Sequence, residues 1–309
     1  MSALTIVLAL LAALSNASAS VLQRRAATDE SDSGSGARQA LRWLARVLRR
    51  PYWLAGSGLL ALSTVLQAAA LAVGSLSLVQ PLLASELLFT LAVGSVVFRR
   101  RPDRRTWLAF AALALGLSLF LGAASPSEGR STAEPGLWLA AGAAVAAVVI
   151  AALAASRLVR GAPRAALLGL ASAVSFAATA ALLKEAMGRL EQGVGVMLTQ
   201  WPLYAVLGVG GLSFLLLQSA FRAGSLTASQ PALTLGDALT SVALGWALFQ
   251  EYIGLGVRVL PEAIGVALIG AGSIGIARAT AAGGDWDAAP DERDGPGGPG
   301  AQRPASQRS

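Results

Sequence analysis

The 309-residue chain contains no cysteine and no histidine. The first absence excludes disulfides and thiolate metal sites. The second excludes imidazole ligands, histidine general bases and the usual Ser-His and Cys-His nucleophile pairs. Charge is scarce too: 13% of residues are charged, against about 25% in an ordinary soluble domain. Lysine is nearly missing, since Lys184 stands beside 23 arginines, a ratio expected of high-GC bacterial coding and given no functional weight. What fills the chain instead is apolar, at 55% hydrophobic residues. Most enzyme classes fall away at this point. The expectation is a membrane protein that is not an enzyme, with no catalytic residue and no cofactor. The net charge of +7 does not indicate nucleic acid, because the basic residues sit between apolar runs and not along one face.

A bilayer core requires roughly 17–25 apolar residues per helix. Runs of that kind lie near 2–22, 52–72, 76–98, 106–123, 136–156, 165–183, 196–217, 227–249 and 260–277. They predict an all-α polytopic protein with nine transmembrane helices. Residues 1–20 are read as the first span and not as a cleaved leader, because no basic residue precedes the apolar run. With the N-terminus outside, twenty basic residues fall in inside segments. Only Arg130, Lys184, Arg189 and Arg258 fall outside. That asymmetry predicts an N-terminus outside and a C-terminus in the cytoplasm of a bacterial plasma membrane. Between the first two spans, 23–51 is a cytoplasmic basic loop. Its 38–50 part places Leu41, Trp43, Leu44, Val47 and Leu48 among arginines, as a helix on the inner leaflet would. Residues 281–309, rich in Gly, Pro, Asp and Arg, read as a disordered cytoplasmic tail.

One phrase occurs twice. Residues 74–81 read Gly-Ser-Leu-Ser-Leu-Val-Gln-Pro and 224–231 read Gly-Ser-Leu-Thr-Ala-Ser-Gln-Pro, with five of eight positions identical at an offset of 150. Each copy opens a long apolar run that carries an acid further in, Glu86 in the first and Asp237 in the second. Trp53 and Trp201 open corresponding spans, and Ser15 matches Ser175. Spans one to four thus match spans six to nine. A shift of five spans is odd, so the copies face opposite sides of the membrane. This is a 4+1+4 inverted-topology repeat: a first half over 1–123, an outer loop and linking span over 124–164, a second half over 165–280, then the tail. Opposed halves give two near-equivalent states, one open to each side, which is the logic of alternating access.

Several motifs carry a resemblance over about 2–280. Ser-Val-Leu-Gln-Arg-Arg-Ala-Ala (20–27) closes span one and Leu-Val-Gln-Pro-Leu (78–82) opens span three. Leu-Leu-Lys-Glu (182–185), Gln-Pro-Ala-Leu-Thr (230–234) and Phe-Gln-Glu (249–251) follow in the second half. In order and spacing the chain resembles the drug/metabolite transporter superfamily, the EamA-type exporters, and in particular the nine-span branch of NIPA-type magnesium transporters. The resemblance implies secondary transport of a small organic metabolite or a divalent cation such as magnesium. One departure is the turn Arg-Arg-Arg-Pro-Asp at 99–103, where much of the superfamily has a Gly-Glu-Arg type of turn; the Glu251 turn keeps its acid. The alternative from another class is a non-transporting membrane scaffold or assembly protein docking through the 38–50 helix and the tail. Expected partners are the lipid bilayer and a small-molecule or ion substrate; a homodimer and the identity of any metal stay open.

The candidate substrate-binding residues are Gln80, Pro81, Glu86, Gln230, Pro231, Thr234 and Asp237. Pro81 and Pro231 either free the carbonyls of Ser77 and Thr227 inside a helix or sit harmlessly in a first turn. Gln80 and Gln230 either line a cavity or tie helices together. Asp237 lies two turns after Gln230, on one stripe with Thr234 and Ser241. It is either a lining carboxylate or a buried structural acid. Glu86 falls off the corresponding face of a regular helix. Lys184 and Glu185 are candidates for a gating or charge pair at the outer end of span six. Gly270-Ala-Gly272-Ser-Ile-Gly275 fits a nucleotide-binding pattern, but it lies in an apolar run with no preceding strand and reads as close helix packing, as do Gly208, Gly210 and Gly211.

The topology has a direct check. Single cysteines, introduced into this cysteine-free chain, are expected to react with an impermeant maleimide from outside at position 130. Positions 30, 103 and 300 are expected to react only from inside. Labelling of position 30 from outside would sink the nine-span reading.

Overall fold

A computed structural model describes residues 3–28, 50–97, 104–124, 129–223, 226–251 and 259–282. The expected helix at 38–50, apart from Arg50, the turn at 99–103 and the tail from 283 onward lie outside the described residues. Among the described residues every regular element is helical. In chain order they are α1 (Ala3–Thr28), α2 (Pro51–Val73), α3 (Leu76–Leu83), α4 (Glu86–Val97), α5 (Arg104–Ala124) and α6 (Pro135–Leu158). Then come α7 (Ala162–Gly188), a 3-10 turn at Leu190–Gln192, α8 (Val194–Thr199), α9 (Trp201–Ala223), α10 (Leu226–Phe249) and α11 (Val259–Ala282). Prolines mark starts where their missing N–H does no harm, in the first turns of α2, α6 and α7.

Seven segments are long and apolar enough to cross a membrane: α1 to Gln23, α2, α3 with α4, α6, α7, α9, and α10 from Ser229. The third expected span is not one helix. It breaks at Ala84–Ser85, where the Ala84 and Ser85 amides bond back to the Pro81 and Leu82 carbonyls at 3.1 and 3.0 Å. The chain then restarts as α4. The two other long helices, α5 and α11, pack on each other.

Small residues make the core. α7 is the central helix, packed by α2, α6, α9 and α10, and Ala165, Ala171, Ala173, Ala177 and Ala181 are fully buried along it. Large apolar side chains point the other way, with Leu139, Leu207 and Trp246 largely exposed. Small inside and large outside is the pattern of helices packed in lipid, where close backbone approach replaces the hydrophobic effect. The pairings also recur: α1 packs on α2 and on α3–α4, and α7 packs on α9 and α10.

The glycine-rich stretch of α11 bears out close packing. A Cβ at Gly272 would lie 2.6 Å from the Leu113 amide nitrogen, one at Gly275 would lie 2.5 Å from the Ala109 Cβ, and one at Gly270 would lie 3.0 Å from Leu235. Gly116 and Gly265 approach the opposite helix as closely. On α9 the outcome is different: Gly210 faces Thr179, whereas Gly208 and Gly211 face open space and pack against nothing. Gly272→Val is therefore expected to cost about 1–3 kcal/mol through overpacking, while Gly208→Val leaves thermal stability in detergent near the native value. Equal melting temperatures for the two variants would refute this account of the α5–α11 seam.

Candidate functional site

Two sets of polar groups enter the apolar bundle. The first is at the end that holds Thr5, Gly74, Lys184 and Glu251, hereafter the Glu251 end. Its geometry begins with the start of α3. The first amides of any helix lack partners within the helix, and the dipole makes that end a site for negative charge. Ser75 occupies the N-cap but makes no side-chain cap. The Glu251 carboxylate takes its place, from a residue 175 positions along the chain. Its Oε1 accepts the Leu76 N–H at 2.6 Å, and its Oε2 accepts the Ser77 N–H at 2.8 Å and the Ser77 hydroxyl at 2.5 Å.

Lys184 of α7 completes the set. Its Nζ donates to Glu251 Oε1 at 2.9 Å and to the Gly74 carbonyl at 2.7 Å, and it stands 5.1 Å from the centre of the Phe249 ring. Glu251 is fully buried and Lys184 is 5% exposed. The chain turns sharply to present the carboxylate: Gln250 adopts φ +55°, and the Glu251 N–H bonds to the Gly245 carbonyl at 3.1 Å. A Cβ on Gly245 would strike both Glu251 Oε2 and Ser77 Oγ, so only glycine fits there. The Arg130 N–H donates to the Phe249 carbonyl at 2.7 Å, which ties the segment before α6 to the same turn.

Lys184 and Glu185 do not pair with each other. Successive residues on a helix point about 100° apart, so neighbours in sequence do not face one another. Glu185, also fully buried, accepts from Arg189 Nη2 at 2.7 Å and from the Ala133 N–H at 2.7 Å. Arg189 reaches on to Gln200 Oε1 at 2.9 Å. Both acids thus lock segments that are distant in sequence. A cavity of about 250 Å3 opens beside them, lined by Gly74, Gly129, Arg130, Ser131, Lys184 and Gly188 among others.

The second set is the stripe on α10. Gln230, Thr234 and Asp237 are half-buried and Ser241 is fully buried. Gly245 continues the face of Asp237 and Ser241 at four-residue spacing. Because Gly245 abuts Ser77, that face turns toward α3. Thr234 returns its hydroxyl to the Gln230 carbonyl at 3.1 Å. Asp237 Oδ1 and Ser241 Oγ have no partner among the described residues. On α3, Gln80 and Pro81 are buried.

Pro81 and Pro231 are each the sixth residue of their helix, α3 and α10, and so lie inside it and not in a first turn. Glu86 does not sit on a continuous helix with Gln80. The break makes it the first residue of α4, half-buried, where the Asn16 side chain of α1 hydrogen-bonds it. α3 and α10 pack on each other with Ser77 against Gly245, and Gln80, Pro81 and Ser241 are buried on these two helices, with Asp237 half-buried on α10. The structure places Gln230 and Pro231 toward the opposite end and turns Glu86 to α1. Sequence reasoning noticed Glu251 only as the acid of a turn. The available signal was an acid just past a long apolar run, in a chain with a single lysine in a comparable position.

Comparison with known proteins adds one relative. An uncharacterized protein of Corynebacterium glutamicum is 28% identical over 268 residues, covering 83% of this chain and 91% of its own length. No family model and no solved structure matches the chain.

The buried pair yields a double-mutant test. Lys184→Met and Glu251→Gln each strand the other partner, and each is expected to cost about 3–5 kcal/mol. The double variant is expected to be more stable than the sum of the single losses predicts. Strict additivity of melting shifts in lipid nanodiscs would show that the two groups do not act as a pair.

Proposed function

We propose that the chain is a secondary transporter of a small solute, built as nine spans in a 4+1+4 inverted repeat and working by alternating access. It resides in a bacterial plasma membrane with the N-terminus outside and the C-terminus in the cytoplasm. The recurrent pairing of α1 with α2 and α3–α4, and of α7 with α9 and α10, supports the two-half arrangement. The pairing of α5 with α11 joins spans four and nine. The resemblance to the drug/metabolite transporter superfamily and its NIPA-type branch points to the same mechanism.

The observation that carries the reading is the contact at the Glu251 end. Gly74, Leu76 and Ser77 belong to the first half; Lys184 and Glu251 belong to the second. The arginine asymmetry supports an outward position for this end. A dry ion pair joining two halves is a switchable seal: when the halves separate, water solvates both charges, and when they close, each neutralises the other. A static scaffold has no need of such a joint. In this state the outer route is closed at Lys184–Glu251, and the α3–α10 face below it lines the substrate path with Gln80, Pro81, Thr234 and Asp237. Gln230 and Pro231 serve the inner end, and Glu86 flanks the path on α4. Among the described residues no three His, Cys, Asp or Glu side chains group to hold a metal ion. This weighs toward an organic solute over a largely dehydrated divalent cation, which needs several oxygen ligands.

The seal can be tested through accessibility. A cysteine at Ser241 lies beneath it. External maleimide is expected to label Ser241→Cys slowly in the native background and several-fold faster when Lys184→Met or Glu251→Gln is added. Unchanged labelling in correctly folded variants would favour the scaffold reading.

A further inference from the structure

Buried hydroxyls in this bundle are mostly bonded to helix carbonyls, the ordinary solution in a membrane. Ser175 donates to the Ala171 carbonyl at 2.9 Å, Thr179 to that of Ser175 at 2.8 Å and Ser213 to that of Val209 at 2.7 Å. Ser63 crosses to the Ala12 carbonyl at 2.9 Å. Ser85, Ser241 and Ser273 depart from this rule, and so does Oδ1 of Asp237: none has a partner among the described residues. Ser241 is 0% exposed and Ser85 is 3% exposed. Buried oxygens left in this way are costly unless a ligand meets them.

Their depth is set by one contact. Ser77 and Gly245 touch, and from there α3–α4 and α10 run away from the Glu251 end. Ser85 is eight residues below Ser77, and Asp237 is eight residues below Gly245. At 1.5 Å per residue both lie about 12 Å down, close to the middle of a hydrocarbon core about 30 Å thick. Ser241 is one turn above Asp237 on the same face. Leu87 and Leu88, just past Ser85, and Leu235 and Val242, flanking Asp237 and Ser241, pack on one apolar cluster of α5 and α11. Ser85 owes its freedom to the break, since it belongs to no helix interior. Ser273 is excluded by depth: Gly270 sits beside Leu235, which puts Ser273 level with Ala232, nearer the opposite end.

We propose that Asp237, Ser241 and Ser85 form a binding site for one sodium ion. The single carboxylate matches a single positive charge; Glu86, the nearest other acid in sequence, is engaged by Asn16 on α1. The hydroxyls decide between sodium and a proton. A carboxyl group holds a proton alone, whereas a metal cation requires several hard oxygens around it. Two buried hydroxyls released from helix carbonyls at the depth of the carboxylate supply them. The site rests on the transporter reading for its purpose, as the place of the coupling ion, but it is defined by binding alone.

The test uses the purified full-length protein in lipid nanodiscs, with radioactive sodium and choline as the replacing cation. Saturable binding of about one ion per chain is expected, in line with the one carboxylate of the site. Asp237→Asn is expected to abolish it, and Ser241→Ala and Ser85→Ala each to weaken affinity about tenfold or more, as loss of a ligand to a charge does. Absence of sodium binding in the native protein overturns the proposal, as does native affinity in Asp237→Asn. If sodium does not bind and pH instead shifts the melting temperature of the native protein but not of Asp237→Asn, a proton holds the site and sodium is refuted. Should Asp237→Asn fail to insert, unchanged affinity in both serine variants overturns the proposal. No transport is measured, so this failure is separable from that of the transporter reading, which the labelling of Ser241→Cys decides.

Discussion

A charge that has left water must be neutralised where it lies, and in this bundle the Glu251 carboxylate imposes that demand on everything around it. It is fully buried and has four donors: two amides, a hydroxyl and an ammonium group. α3 begins at Leu76 because its first amides find this acceptor. α10 ends at Phe249 because the chain must turn to deliver it, and Gln250 accepts a left-handed conformation to do so, at a cost of about 1–2 kcal/mol. Gly245 can carry no side chain, since the carboxylate and Ser77 occupy that space. Lys184, the only lysine of the chain, is held by the same acid. A compact ammonium suits this place better than a guanidinium, because it bonds Glu251 and Gly74 while standing near the Phe249 ring.

The repeated Gly-Ser-Leu phrase gains a physical meaning from this contact. Both copies start a helix at their leucine, and both put proline at the sixth position. In the first copy, the Gly carbonyl and the amides of the third and fourth residues are the groups that Lys184 and Glu251 bind. In the first copy the phrase is therefore a docking sequence for charge. Its proline falls one turn after Ser77, inside the helix, where it removes a backbone bond. In the first half, a break at Ala84–Ser85 follows soon after, whereas α10 runs on unbroken from Pro231 to Phe249. The two copies correspond in sequence, but one is followed by a helix break and the other by a continuous helix.

Much of this was legible beforehand, for identifiable reasons. Long apolar runs announce helices because a membrane leaves the backbone no other local solution, and seven of the expected spans meet the length and composition required. The glycines of α11 could be read as packing because an apolar run with no strand before it leaves them no phosphate to cradle. The break in the third span was not legible. Nothing between Leu82 and Glu86 is a strong breaker, and the proline precedes the break by three residues. Nor was the true partner of Lys184 legible. Sequence adjacency suggested Glu185, yet side-chain direction on a helix rules that pair out, and the partner that fits is 67 residues away. Pairings of that range depend on how helices cross, which hydrophobic runs do not encode. Gly208 and Gly211 show the reverse error, in which small residues were read as seams and face open space.

The energetics of the Lys184–Glu251 joint suit a moving part better than a fixed one. A dry ion pair gives back in Coulomb attraction roughly what it loses in desolvation, so its net contribution to the closed state is small, although stranding either ion is costly. An apolar plug of the same size would gain with every square ångström buried and would resist opening in proportion. Two conformations that interconvert under a ligand's influence must differ by only a few kcal/mol, since a ligand shifts the balance by no more than its own difference in affinity. A joint that is nearly neutral when made, and nearly neutral again when both ions reach water together, meets that condition. It also enforces order: a partial opening that wets one ion and strands the other is the expensive state. A joint of this kind favours two end states, both ions dry or both wet, which is what the proposed alternating access would require of it.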